Sequence, residues 1–236
     1  MSIKKELLTI LAVLAALSAT GVGGPILLPR GEQTTWSYLD GAGAPAEGWQ
    51  SVDFDDSGWK RGRGPLGYGE SNLGTTLGFG GDEEDKHMSV YCRTSFMVNP
   101  VQGKKLEALG VLLRRDDGAV VYLNGREVIR SNMNPGKMIF TTPAASATGP
   151  ADEATYHRYL VPAEWLAKGG ENTVAIEVHQ ANPASSDLFL DLEITGFLPG
   201  EVPKRDFYRD GMTALRRGNH QQGTELLRQL PVDHPD

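Results

Sequence analysis

Between about Thr34 and Leu198 the apolar positions recur mostly at every second residue. In Ser89–Val98, Val90, Cys92, Thr94, Phe96 and Val98 fall on one face. In Thr173–His179, Val174, Ile176 and Val178 alternate with Ala175, Glu177 and His179. In Leu188–Ile194, Leu188, Leu190, Leu192 and Ile194 alternate with Phe189, Asp191 and Glu193. A period of two is the signature of strands buried on one side. Asn124-Gly125 separates Ala119–Leu123 from Arg126–Arg130, and Asn-Gly accepts the positive φ angles of a tight hairpin turn. One helix is predicted inside this region, over Pro162–Lys168, with proline in its first turn and Gly169-Gly170 as its stop. Many strands, frequent turns and little helix predict a mainly β fold, a sandwich or jelly roll over residues 32–198.

The pattern changes at both ends. After Pro203 the spacing becomes helical: Phe207, Gly211, Ala214, Leu215 and Gly218, then Gly223, Leu226, Leu227 and Leu230. This predicts an α-helical hairpin over 204–236. At the other end, Lys4 and Lys5 precede an almost wholly apolar run from Leu7 to Ala19, followed by small residues. Residues 1–24 therefore read as a secretory signal, cleavable after Ser18 or Gly21. The competing reading is an uncleaved anchor, the only route by which this chain would attach to a membrane. The run is short for a full span. No cysteine stands there to carry a lipid.

Composition narrows the classes further. The 29 glycines and 14 prolines suit a chain with many tight turns. A net charge of −7, without clustered Lys and Arg, argues against a nucleic-acid partner. A single cysteine, Cys92, excludes an internal disulfide and a cysteine-based zinc site; its place among core positions reads as a small buried hydrophobe. An acidic chain with a leader and no disulfide suits a secreted or cell-envelope protein of a bacterium.

Several motifs stand in series: Trp49-Gln50, Asp53-Phe-Asp-Asp-Ser-Gly-Trp59, Gly64-Pro-Leu-Gly-Tyr-Gly69, Tyr91-Cys-Arg-Thr-Ser-Phe96, Arg115 to Gly125, and Glu171 to Gln180. Over about 165 residues they resemble the galactose-binding-like jelly-roll modules. Such modules are appended to secreted bacterial hydrolases and form the sugar-binding domains of family-two glycosidases. The resemblance implies a jelly roll and, in some members, a structural calcium; it does not name a ligand. The C-terminal spacing at 211, 218, 223 and 235 resembles one tetratricopeptide repeat, departing from it at Gly223, where alanine is usual. One repeat cannot bury its apolar face alone, so it would continue into further repeats, dock on the sandwich or recruit a protein partner.

Candidate chemistry concentrates in the loop His179-Gln180-Ala-Asn182-Pro-Ala-Ser-Ser-Asp187. His179, Gln180, Asn182 and Asp187 offer donors and acceptors for sugar hydroxyls, and loops at the end of a sandwich commonly carry function. The alternative is a loop held by its own hydrogen bonds, with His179 beside a neighbouring acid. Tyr68, Phe79 and Tyr156 are the candidate stacking platforms for a sugar ring. Trp36, Trp49, Trp59 and Trp165 read better as core. Asp116 and Asp117 are candidate calcium ligands, against the plain reading of turn chemistry. Asp53, Asp55 and Asp56 only partly resemble a calcium loop. Gly80–His87 is an acidic, solvated loop.

Gly62-Arg-Gly-Pro-Leu-Gly67 matches a dinucleotide fingerprint in letters only, because Pro65 and Gly69 interrupt the helix such a site needs. No G-x-S-x-G, H-E-x-x-H or P-loop occurs, and the five histidines contain no i, i+4 pair. The sequence thus predicts a non-catalytic, exported module that binds a glycan or polysaccharide. The alternatives are a structural or partner-recruiting module acting through 204–236, and the accessory front of a longer secreted hydrolase.

Overall fold

The computed structural model describes residues 24–202. The helical hairpin expected over 204–236, and residues 1–23 of the expected leader, lie outside the described residues. Strands are β1 (Ile26–Leu28), β2 (Thr35–Leu39), β3 (Lys60–Arg63), β4 (Leu66–Tyr68), β5 (Thr75–Thr76) and β6 (Ser89–Val98). They continue as β7 (Ala108–Asp116), β8 (Gly118–Leu123), β9 (Arg126–Ser131), β10 (His157–Pro162), β11 (Gly170–His179) and β12 (Leu188–Phe197). Two single-turn helices, α1 (Pro100–Gly103) and α2 (Pro150–Glu153), each begin on a proline, which needs no N–H partner there.

The strands form a β-sandwich of two sheets. One sheet runs β10-β7-β12-β4-β5, with β1 also pairing β12; the other runs β3-β2-β6-β11-β8-β9. Leu109, Val111 and Leu113 of β7 and Leu188, Leu190, Leu192 and Ile194 of β12 meet Val90, Cys92 and Phe96 of β6 and Val174, Ile176 and Val178 of β11. The period-two residues of the sequence are thus the inward faces of both layers. Burial of this apolar surface is the main stabilising term.

The hairpin turn is as expected: Asn124 and Gly125 have φ of 52° and 82° between β8 and β9. The helix expected over Pro162–Lys168 is instead one 3-10 turn, Ala163–Trp165. Its backbone groups are claimed from outside. Asn124 Nδ2 donates to the Trp165 carbonyl at 3.0 Å, and Asn172 Oδ1 accepts from the Ala167 amide at 2.8 Å. Leu166 is already extended. Long-range side-chain partners thus outcompete the i→i−4 ladder.

The second sheet is also covered on its outer side. Trp49, Tyr91 and Ala175, with Phe54, Trp59 and Phe140, make a smaller aromatic cluster. The Trp49 and Trp59 rings stack at 6.4 Å, and Trp49 meets Tyr91 edge-on at 5.0 Å. Trp36 is in the central core. The segments 40–59 and 132–148 therefore lie over part of this sheet and leave the rest of its outer face open.

Candidate functional site

His179 ends β11 and is fully buried. Its Nδ1 lies 2.8 Å from the Thr142 carbonyl and 2.8 Å from Ser89 Oγ. A carbonyl only accepts, so Nδ1 carries a proton. The Ser89 hydroxyl donates to the Phe140 carbonyl at 2.6 Å. On the other side, His179 Nε2 faces the Glu177 carboxylate at 3.2 Å, and the Tyr122 hydroxyl donates to Glu177 at 2.6 Å. Burial first, and the Glu177 carboxylate next, push the Tyr122 phenol up. This network fastens segment 139–142 to the sheet. The neighbouring acid proposed for His179 is Glu177, two residues back on the same strand face.

Gln180 is also fully buried. Its Nε2 donates to the Tyr68 hydroxyl at 2.5 Å and to the Asp187 carbonyl at 2.8 Å. Burial lifts the Tyr68 phenol to about 12, so it stays protonated. Phe79 packs on Tyr68 with ring centroids 5.0 Å apart. Tyr156 lies elsewhere: its hydroxyl donates to Asp191 at 2.6 Å, and the Arg30 guanidinium sits over its ring. Asn182 is exposed, but its Oδ1 accepts from the Ala184 amide in a local turn. Asp187 is half-buried and accepts from Ser186. The structure thus gathers Tyr68, Phe79, Gln180 and Asp187, and separates His179 and Tyr156 from them. His179, Gln180 and Tyr68, expected as ligand contacts, are each enclosed by the protein, at most 3% exposed. Asn182 and Asp187 are the part of the loop that meets solvent.

Asp116 and Asp117, expected as calcium ligands, are each 2% exposed. Asp117 accepts from the Thr148 amide and hydroxyl and from the Ala181 amide. Asp116 accepts from the Thr148 hydroxyl. These donors belong to the protein, and through them the pair braces the loops that carry Thr148 and Ala181. Burial pushes Asp116 up to about 7, against the Thr148 bond and assisted by the Asp117 charge. Nearby, Glu70, Glu153 and Asp187 bring carboxylate oxygens within 4.8 Å of one another. Arg114 pairs with Glu70 at 3.3 Å. Asp55 is turn chemistry, accepting from Ser57 N at 2.9 Å, and Asp56 pairs with Arg93 at 2.9 Å.

The open part of the second sheet holds a cleft of about 540 Å³. Alternation builds it. With Trp36 and Tyr38 in the core, Thr35 and Ser37 of β2 face out; with Val174 inside, Thr173 of β11 faces out. Register places Ser37 opposite Arg93 on one side and Arg61 on the other. Arg93, 4% exposed, ties down the cleft wall: Nε donates to Asp56, and Nη1 donates to the carbonyls of Trp49 and Ser51. Its guanidinium lies 5.2 Å from the Phe54 ring centre. Ser95 donates to Glu171 at 2.6 Å. The hydroxyls of Thr35, Ser37 and Thr173 make no hydrogen bond among the described residues. The floor thus offers free hydroxyls, a carboxylate and a half-buried aromatic ring. None of these residues was singled out from the sequence as ligand-binding. The available signal was the polar face opposite the core in Ser89–Val98 and Thr173–His179.

No family model and no curated protein matches the chain. Solved structures similar to it include a β-glucuronidase 2 of Bacteroides uniformis, with TM-score 0.46 and 17% identity over 71% of this chain and 18% of that one. A glycosyl hydrolase family 2 member from Bacteroides cellulosilyticus gives TM-score 0.46 and 16% identity over 73% of this chain and 21% of the other. A β-glucuronidase from an uncultured Clostridium gives TM-score 0.46 and 14% identity over 76% and 30%. The chain spans only 18% to 30% of the length of these enzymes.

Proposed function

We propose that the sandwich is a non-catalytic carbohydrate-binding module of jelly-roll type, exported to the cell envelope or beyond. Its glycan site is the cleft on the outer face of the second sheet. The observation that carries this reading is the cleft floor. Thr35 is exposed, and Ser37 and Thr173 are 8% and 4% exposed at the bottom of the cleft; among the described residues their hydroxyls have no partner, and they lie beside the Glu171 carboxylate and the Phe54 ring. Sugars are recognised by such pairing of hydroxyls with an apolar ring face. The brace at Asp116 and Asp117 and the buried His179 network hold the fold and offer no reacting centre to solvent.

The test is affinity electrophoresis and calorimetry of the full chain against a panel of polysaccharides, with Ca²⁺ and with EDTA. Each lost hydrogen bond weakens binding by about fivefold, so Ser37→Ala with Thr173→Val should cost roughly 25-fold. Phe54→Ala should weaken it further. Asn182→Ala serves as the comparison for the His179–Asp187 loop. Loss confined to Asn182→Ala would move the site to that loop. The absence of binding to every polysaccharide would end the reading. A change with EDTA would direct attention to Glu70, Glu153 and Asp187.

A further inference from the structure

We propose that the glycan taken by this cleft is anionic, held through the guanidinium groups of Arg61 and Arg63; this rests on the carbohydrate reading of the same site. Both residues belong to β3, the edge strand of the second sheet. Between them Gly62 faces the other sheet so closely that a Cβ there would fall 2.3 Å from Thr75 Oγ1. Arg61 and Arg63 therefore project outward together, separated by two strand residues, or about 7 Å. Register sets Arg61, which lines the cleft, opposite Ser37, and Arg63, at the rim beyond the lining, opposite Thr35; Ser37 and Thr35 are on the cleft floor.

Their lack of partners is the telling feature. Arg30, Arg93, Arg114, Arg115 and Arg130 each have a carboxylate within reach; of the described arginines without one, Arg126 lies over the Trp165 ring and Arg158 is on β10 of the other sheet, which leaves Arg61 and Arg63 as the pair beside the cleft. Arg61 and Arg63 are exposed, and among the described residues their side chains have no ion pair and no hydrogen bond. This occurs in a chain where acidic residues outnumber basic ones, 30 to 23. The nearest cleft carboxylates are already engaged, Asp56 by Arg93 and Glu171 by Ser95. The negative group that these two forks fit is therefore one that a ligand brings. Guanidinium forks match the two oxygens of a sugar carboxylate or a sulfate ester. The free hydroxyls of Ser37 and Thr35, one register step away, would take the neighbouring sugar hydroxyls.

Charged residues also guard exposed sheet edges against pairing with another chain. The two roles separate experimentally. The full chain is titrated with polygalacturonate for carboxylates, dextran sulfate for sulfates, and dextran and arabinogalactan backbones without acid groups. Titrations are run at about 50 mM and about 300 mM salt, since exposed charge pairs are screened. An anionic polymer should bind more tightly than the neutral ones and weaken with salt, and whichever of the two binds names the anion. Arg61→Ala with Arg63→Ala should lower that affinity at least about tenfold, and the double lysine variant should recover only part of it. Equal binding of neutral polymers, with anionic binding unchanged in the double alanine variant, would overturn the anionic assignment and leave the sugar reading standing. Self-association of that variant with unchanged binding would assign the pair to edge protection and equally overturn it. Failure of every polymer would remove both.

Discussion

At the scale of single residues, the most consequential group for solution behaviour is Asp116. Its carboxyl is buried at the end of β7 and pushed up to about 7 from 3.8, chiefly by burial. The folded state therefore holds this proton more tightly than the unfolded chain. Such a group favours the fold fully below the unfolded value, and that favour is lost as pH rises through the folded one. A protonated Asp116 also suits its surroundings, because Thr148 shares its one hydroxyl between Asp116 and Asp117. The melting temperature should fall from about pH 5 to about pH 8. Asp116→Asn, which mimics the protonated shape, should make that fall shallower. Parallel pH profiles for the two proteins would dismiss Asp116 as the group responsible.

At the scale of elements, Asn124 shows how one turn residue organises neighbours far along the chain. It takes the positive φ of the β8–β9 turn, donates to the Trp165 carbonyl and Asn172 Oδ1, and accepts from the Thr173 amide. Asn124→Ala would strain the turn and leave the fully buried Asn172 short of a donor, costing about 3 kcal/mol. For a domain of this size that is roughly 6–12 °C in melting temperature. Asn124→Gly should recover the turn part but not the network part, and an unchanged melting temperature in Asn124→Ala would refute the network. The Asn-Gly pair was legible from local chemistry, whereas its grip on the 163–167 turn was not, and that turn was misread as helix for this reason. The inward faces of β6, β11 and β12 were legible because period two needs only local sequence. The burial of Tyr91, Arg93, Glu177 and His179 on the opposite face was not. It depends on segments 40–59 and 132–148 folding back from elsewhere in the chain. The cleft escaped notice for a related reason. Its floor exists only once β3, β2, β6 and β11 are in register, and strands as short as β1, β4 and β5 leave no periodic trace.

At the scale of the molecule, the cleft is joined to the place where the first and last strands of the sandwich meet. Strand β1 lies upstream of the expected start of the sandwich at residue 32, and it pairs with β12, Ile26 opposite Thr195. The Gly196 amide donates to the Pro25 carbonyl at 2.8 Å, and a Cβ on Gly24 would run into the Gly196 carbonyl. The two ends of the sandwich therefore lie side by side. Leu28 is 3% exposed and belongs to the central core, while Leu27 and Pro29 line the cleft. The Gly31 backbone N–H also donates a hydrogen bond to the buried Asp191 carboxylate at 2.9 Å. A chain starting at residue 34 would lose one buried leucine, its pairing with β12 and that bond, about 3–4 kcal/mol in all. Compared with a chain starting at residue 24, it should melt roughly 6–15 °C lower. Because β1 also forms a cleft wall, saturating the longer chain with its polysaccharide should raise the melting temperature, and the shorter one should show a smaller rise. Equal melting temperatures would show that β1 is dispensable to the core. A full ligand-induced rise in the shorter chain would show that the glycan does not lean on the β1 wall.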